Sequence, residues 1–157
     1  MPHDIPPVRV YADTSVFGGV FDKEFSRASR AFFDDVRAER LLLVTSAVGE
    51  EELTEAPPQV QEFFDDMLAW MEKAELDDPA LALRRAYIAA GIVTHASAAD
   101  ALHVAVATVS ACQLLVSWNC RHIVNFQRIP KYNAVNRLHG FGEIAIHTPL
   151  EVVGNER

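Results

Sequence analysis

Four places along the chain put carboxylate or carboxamide side chains where they can act together. Asp13 ends the apolar run VRVYA and is followed at once by Thr14 and Ser15. Glu50, Glu51 and Glu52 lie in SAVGEEEL, just past a second apolar run, LLLVT. Asp100 lies in SAADALH, ahead of a third apolar run, LLVS, and Asn119 follows that run in SWN. Oxygen donors of this kind suit the hard divalent cations Mg²⁺ and Mn²⁺, whose remaining positions are filled by water and substrate phosphate. Other chemistries lack their parts. An aspartyl-nucleophile phosphatase needs an acid two residues after the first, where Ser15 stands. There is no G-x-S-x-G, no Walker-type GK[ST] loop and no G-x-G-x-x-G.

Each residue also has a structural role open to it. Asp13 can cap the turn that follows it. Acids early in a helix, as in SAVGEEEL, are favoured by the macrodipole. Ser97 and Asp100 have the spacing of an S-x-x-D capping box. His103, one turn beyond Asp100 among apolar neighbours, fits a core position. Asp65, Asp66, Asp77 and Asp78 read as solvated surface. Spacing alone leaves both kinds of role open.

The elements that must position these residues follow from hydrophobic periodicity. Val8 to Asp13, Leu41 to Thr45 and Leu114 to Ser117 read as short strands, with a last one over Glu143 to His147. Phe25 to Arg40, Ser46 to Leu53, Val60 to Glu75, Pro79 to Ala90 and Ser97 to Ala111 read as helices, and Gly91 is placed to end the fourth. Ser97 is expected to cap the fifth. Arg121 onward reads as a short helix or loop, then an irregular basic segment around Pro130, and Pro149 as a terminal turn. Unalternating strands separated by helices predict a parallel sheet covered on both faces. In such sheets ligands bind at the carboxyl ends of the strands. Asp13, the EEE run and Asn119 map there, and Asp100, in the first turn of the helix before the third strand, could join them at the same rim. The two glycines after Ser15 are expected to let the chain leave the strand tightly.

The 157 residues suffice for a single domain with a real core. Half are hydrophobic and the net charge is −8, which argues against non-specific nucleic-acid binding. The charge is uneven. Asp34 to Asp78 holds fourteen acids and three Lys or Arg, whereas Ala101 to Gly142 has no Asp or Glu. That second stretch carries Arg121, Arg128, Lys131 and Arg137, suited either to phosphates or to charge balance. No signal peptide or membrane span is read, so the expected compartment is the cytoplasm. The two cysteines are too few for a disulfide scaffold or zinc site; Cys112 reads as core and Cys120 as loop.

The stretches YADTSVFGG, SAVGEEELTEAP, SAADALHVAVA and LLVSWNCRHIVN, in this order and followed by IHTPLEV, resemble the PIN domain in its VapC-like bacterial branch. The resemblance spans nearly the whole chain. It implies an α/β fold, a three-layer α/β/α sandwich around a parallel sheet. It also implies a metal-dependent, toxin-type ribonuclease, endonucleolytic, with Mg²⁺ or Mn²⁺ as cofactor. Asp13 matches the first acidic position. Glu52, followed by Leu53, matches the second, with Glu51 the alternative. Asp100, in DALH, matches the third. The family often has a further Asp where Asn119 stands; an Asn carbonyl can still bind a metal or a water, without adding charge. Ser15 matches a polar position that orients the acids. Thr14 and His103 are expected in the same supporting role, and Arg121, His122 and Arg128 at substrate phosphates. The implied partners are RNA, an antitoxin protein and a second copy of the chain. The alternative reading, motivated by Asn119, is a catalytically weak PIN-like module that binds RNA or protein without cutting.

Overall fold

The structure is a computed structural model and describes residues 6–153. The opening MPHDI, part of the stretch read for a leader, lies outside them. Five strands form one parallel sheet: β1 (Val8–Ala12), β2 (Leu41–Ser46), β3 (Met71–Ala74), β4 (Leu114–Val116) and β5 (Ala145–His147). Their order across the sheet is β3-β2-β1-β4-β5, and every neighbouring pair is parallel. β1 is therefore central. The chain winds outward from it in one direction through β2 and β3, and in the other through β4 and β5. The reversal leaves a crevice beyond the carboxyl ends of β1 and β4, the usual ligand position in an open α/β sheet.

Strand side chains alternate between the two faces, so each face has its own core. Val10, Ala12, Leu43 and Val116 bury against α1 (Thr14–Gly19), α2 (Ser26–Arg37) and α4 (Pro58–Met67), where Phe17, Phe32, Phe33, Phe64 and Met67 supply most of the bulk. Tyr11, Val44 and Leu115 point the other way. They meet Val48 of α3 (Ala47–Leu53), Leu83 and Tyr87 of α5 (Asp78–Ala89), the apolar length of α6 (Ala98–Val109), and Tyr132 and Val135 of α7 (Ile129–Leu138). A short α8 (Pro149–Val152) packs against α2. No helix among the described residues is long and apolar enough to cross a membrane.

Several elements differ from the sequence reading. The helix expected over Val60–Glu75 stops at Met67; residues 68–70 make a 3₁₀ turn and Met71–Ala74 joins the sheet as β3. Beyond Met67 the periodic residues are no longer buried: Leu68 is 47% and Trp70 38% exposed. MEKA carries no strand signature of its own. It is held by pairing to β2 and by the bidentate Arg9–Glu72 ion pair, at 3.0 and 2.8 Å. The segment around Pro130 is not irregular but helix α7, with Pro130 in its first turn, where a missing N–H costs nothing. Asp77 is not merely solvated, since its carboxylate caps α5 through the Ala80 N–H at 3.1 Å. Gly91 ends α5 with a positive φ of 76°, as expected.

The glycines after Ser15 do not make a tight exit, because Thr14 to Gly19 is helical. Gly19 is required for another reason. A Cβ there would stand 2.5 Å from Ser29 Oγ and 2.7 Å from Trp118 Nε1, two atoms that hydrogen-bond each other at 2.9 Å. Helix propensity alone would make Gly19→Ala stabilising by up to about 1 kcal/mol. The clash should win and lower stability by about 1–3 kcal/mol. A urea midpoint equal to or above that of the wild type would refute the packing argument.

Candidate active site

Asp13 follows β1 directly, caps α1 and is 5% exposed. A carboxylate so placed needs donors. Its Oδ1 accepts from the Ser15 N–H at 3.2 Å and the Ser15 hydroxyl at 2.5 Å, and its Oδ2 from the Ser117 hydroxyl at 2.7 Å. The proton directions are fixed. Ser15 Oγ accepts the Trp118 N–H and Ser117 Oγ the Asn119 N–H, both at 2.9 Å, so each hydroxyl turns its single proton to Asp13. Burial nevertheless pushes the Asp13 pKa up, and the Glu52 charge adds to this; His103 and the two serines offset only part. The carboxylate is therefore held in its buried place at a net cost to its charged form.

A second network adjoins the first. Glu52 on α3 receives the Thr14 hydroxyl at 3.0 Å and the His103 Nε2 at 2.9 Å, both on Oε1. The buried His103 on α6 meets the Tyr11 hydroxyl through Nδ1 at 2.7 Å, and Tyr11 meets Ser46 Oγ at 2.7 Å. Because a carboxylate only accepts, Nε2 carries a proton. Burial opposes the imidazolium, but the Glu52 hydrogen bond and the charges of Asp13, Glu52 and Asp100 outweigh it and raise the His103 pKa above its ordinary 6.5. Burial also opposes the Glu52 carboxylate, but His103 and Thr14 hold its pKa below the usual range.

The third acid is differently placed. Asp100 lies in the first turn of α6 and is half-buried. The expected capping box does not form. Ser97 has φ −105° and ψ 14°, not the extended backbone a capping serine needs, and makes no side-chain cap. Asp100 enters no hydrogen bond or ion pair among the described residues, yet its charge acts on His103. A cleft of about 350 Å³ is lined by Glu51, Glu52, Glu55 and Ala99, so α3 and the start of α6 share one opening. The EEE run thus divides into three roles. Glu50 pairs with Lys73 at 3.1 Å, Glu51 faces solvent, and Glu52 enters the network.

The remaining expected residues lie on the chain leaving β4. The amide oxygen of Asn119 is taken up by the backbone N–H groups of Arg121 and His122, at 3.2 and 3.0 Å. It shapes the turn rather than pointing a free carbonyl at the acids. Arg121 is exposed. Arg128 donates to His122 Nδ1 at 2.9 Å. None of these three side chains bonds to Asp13, Glu52 or Asp100 among the described residues. Ser117, Tyr11 and Ser46 were not anticipated. Ser117 carried a signal, being a polar residue at the end of an apolar strand. Tyr11 carried one too, since a buried phenol needs a partner.

Solved structures share this arrangement of strands and helices. VapBC2 from Rickettsia felis, crystallised with a DNA fragment from its promoter, superposes with a TM-score of 0.60 at 14% identity, over 90% of this chain and 98% of that one. FitAcB from Neisseria gonorrhoeae gives 0.55 at 14%, over 91% and 99%. FitAB bound to an IR36 DNA fragment gives 0.56 at 13%, over 94% and 98%. The fold is PIN-like. No family model matches the sequence, and no curated protein matches it.

The donor set suits a hard cation. Glu52 Oε2 receives none of that residue's hydrogen bonds, and the Asp100 side chain is unbonded among the described residues. Among the described residues, no group of three or more His, Cys, Asp or Glu side chains is placed to hold a metal ion. Mg²⁺ does not need one, because it keeps several waters and takes one or two carboxylates plus substrate phosphate.

The imidazolium of His103 sets a pH dependence for the metal-free protein. Its folded pKa lies above 6.5, so its contribution to stability is full below about that value and is lost as pH rises through the folded pKa. An NMR titration should place the His103 midpoint above 6.5, and Glu52→Gln should lower it. A midpoint unmoved by Glu52→Gln would sever the pair.

Proposed function

We propose that the chain is a PIN-like domain of the VapC type, a divalent-metal-dependent ribonuclease cutting within RNA, with an antitoxin protein and a second copy of itself as partners. The observation that carries the reading is the buried Asp13 at the β1/β4 switch point, gripped by Ser15 and Ser117, with Glu52 and Asp100 beside His103. Asp13, Glu52 and Asp100 would hold Mg²⁺ or Mn²⁺, which when bound lowers the pKa of a water and offsets charge on the scissile phosphate. Ser15 and Ser117 fix the carboxylate of Asp13. His103, braced by Tyr11, and Thr14 hold one oxygen of Glu52 and leave the other free. The exposed guanidinium of Arg121, two residues past Asn119, is the group best suited to steady a substrate phosphate. The same resemblance supports the partners and a cytoplasmic location.

A second reading has its own support. Asn119 stands where the family often has an acid and its oxygen is engaged in the turn, and no group of three His, Cys, Asp or Glu among the described residues is placed to hold a metal ion. A PIN-like module that binds RNA or protein without cutting fits those facts. Metal affinity separates the two, since a non-cutting module need not take Mn²⁺ at physiological concentration.

Cleavage of a mixed RNA pool with Mn²⁺, Mg²⁺ or EDTA tests the nuclease reading. Cutting should require the divalent ion. Asp13→Asn or Asp100→Asn should lower the rate by about 100-fold or more, the scale of losing a charge-stabilising group, while circular dichroism stays native. Full activity in either variant would remove that residue from the site. Metal-independent cutting would end the proposal.

A further inference from the structure

Phe126 is 91% exposed, the highest value among the large hydrophobic side chains described. The turn that presents it is fastened. Asn125 Oδ1 accepts the N–H groups of Gln127 and Arg128 at 3.0 and 3.1 Å, and Asn125 Nδ2 donates to the Arg121 carbonyl at 3.2 Å. The N–H of Ile129 reaches the Asn125 carbonyl at 2.9 Å and starts α7. A lone exposed apolar side chain is ordinary. The surroundings of this one are not.

The chain carries a net charge of −8, yet the stretch from Ala101 to Gly142 has no Asp or Glu. Among the described residues Arg121, Arg128 and Lys131 form no ion pair with a carboxylate, and Arg128 bonds only to the His122 imidazole. No carboxylate at ion-pair distance among the described residues ties these three cations into the fold. The segment starts at the site: the Asn119 N–H bonds Ser117, which bonds Asp13. An aromatic ring held in water on a rigid turn, with unpaired cations on either side in sequence, matches a surface for single-stranded nucleic acid. Phosphates satisfy the cations and an unpaired base covers the ring. A protein hot spot would set the ring among other apolar groups, but its chain neighbours are Asn125, Gln127 and Arg128.

We propose that Phe126 is a stacking platform for an unpaired RNA base, with Arg121, Arg128 and Lys131 on the flanking phosphates. The proposal rests on the ribonuclease reading and adds a base-contacting side chain on the turn between β4 and α7. The probe is a short single-stranded 2′-O-methyl RNA containing 2-aminopurine, mixed with the full chain in Mg²⁺ at low salt. Binding should quench the 2-aminopurine. Phe126→Ala should weaken binding by about 5- to 150-fold, the range of base–aromatic stacking, and should lose the quench. Phe126→Trp should retain both, and a matched duplex should bind more weakly. Leu138→Ala, also exposed at 83% on α7, should bind like the wild type. If Phe126→Ala binds and quenches as the wild type does, the ring belongs to a protein partner and the proposal falls, while cleavage by the wild type would still uphold the nuclease. If Phe126→Trp fails to rescue, stacking is not the role. A wild type that neither binds nor cuts RNA overturns both readings.

Discussion

A buried carboxylate at the meeting point of two strands is the constraint on which the rest of this molecule turns. Asp13 cannot keep its charge in the apolar interior without donors, and the fold brings them from both sides of the crevice: Ser15 from its own helix and Ser117 from the neighbouring strand. Each serine is itself oriented by a backbone N–H, so the grip does not depend on mobile side chains. Gly19 belongs to the same arrangement. Its missing Cβ lets Trp118 lie against α1 and reach Ser29, which fixes the residue between Ser117 and Asn119.

The electrostatics are layered around that carboxylate. Asp13 is raised by burial, Glu52 is lowered by its imidazole partner, and His103 is raised by the acids around it. Three charged groups of alternating sign thus share a small volume, with Tyr11 and Ser46 extending the chain of hydrogen bonds under the sheet. Protonation of His103 decides the direction of that chain. With Nδ1 protonated, the imidazole donates to Tyr11 and Tyr11 to Ser46; with Nδ1 bare, the phenol donates to the imidazole instead.

How much of this was legible in the sequence depended on how local the cause was. Asp13 was legible because an acid at the end of an apolar run has few alternatives. The parallel sheet was legible because β1 and β2 lack alternation, as strands buried on both faces do. β3 was not: Met-Glu-Lys-Ala has no strand propensity, and only the open edge of β2 makes it one. α7 was hidden because Pro130 reads as a breaker when it is a starter. Adjacent glutamates on α3 point about 100° apart, so choosing Glu52 over Glu51 by position needed the facing helix. Ser97 misled because its spacing promised a cap that its backbone angles do not allow.

Asp13 and the Ser117 half of its clamp are 104 residues apart in the chain. On a ribosome, which adds roughly 5–20 residues per second, Asp13 emerges long before Ser117 exists. Until β4 arrives, β1 has an unpaired edge and its terminal carboxylate lacks a donor from that side. The centre of the sheet is thus completed by one of the last strands to be made.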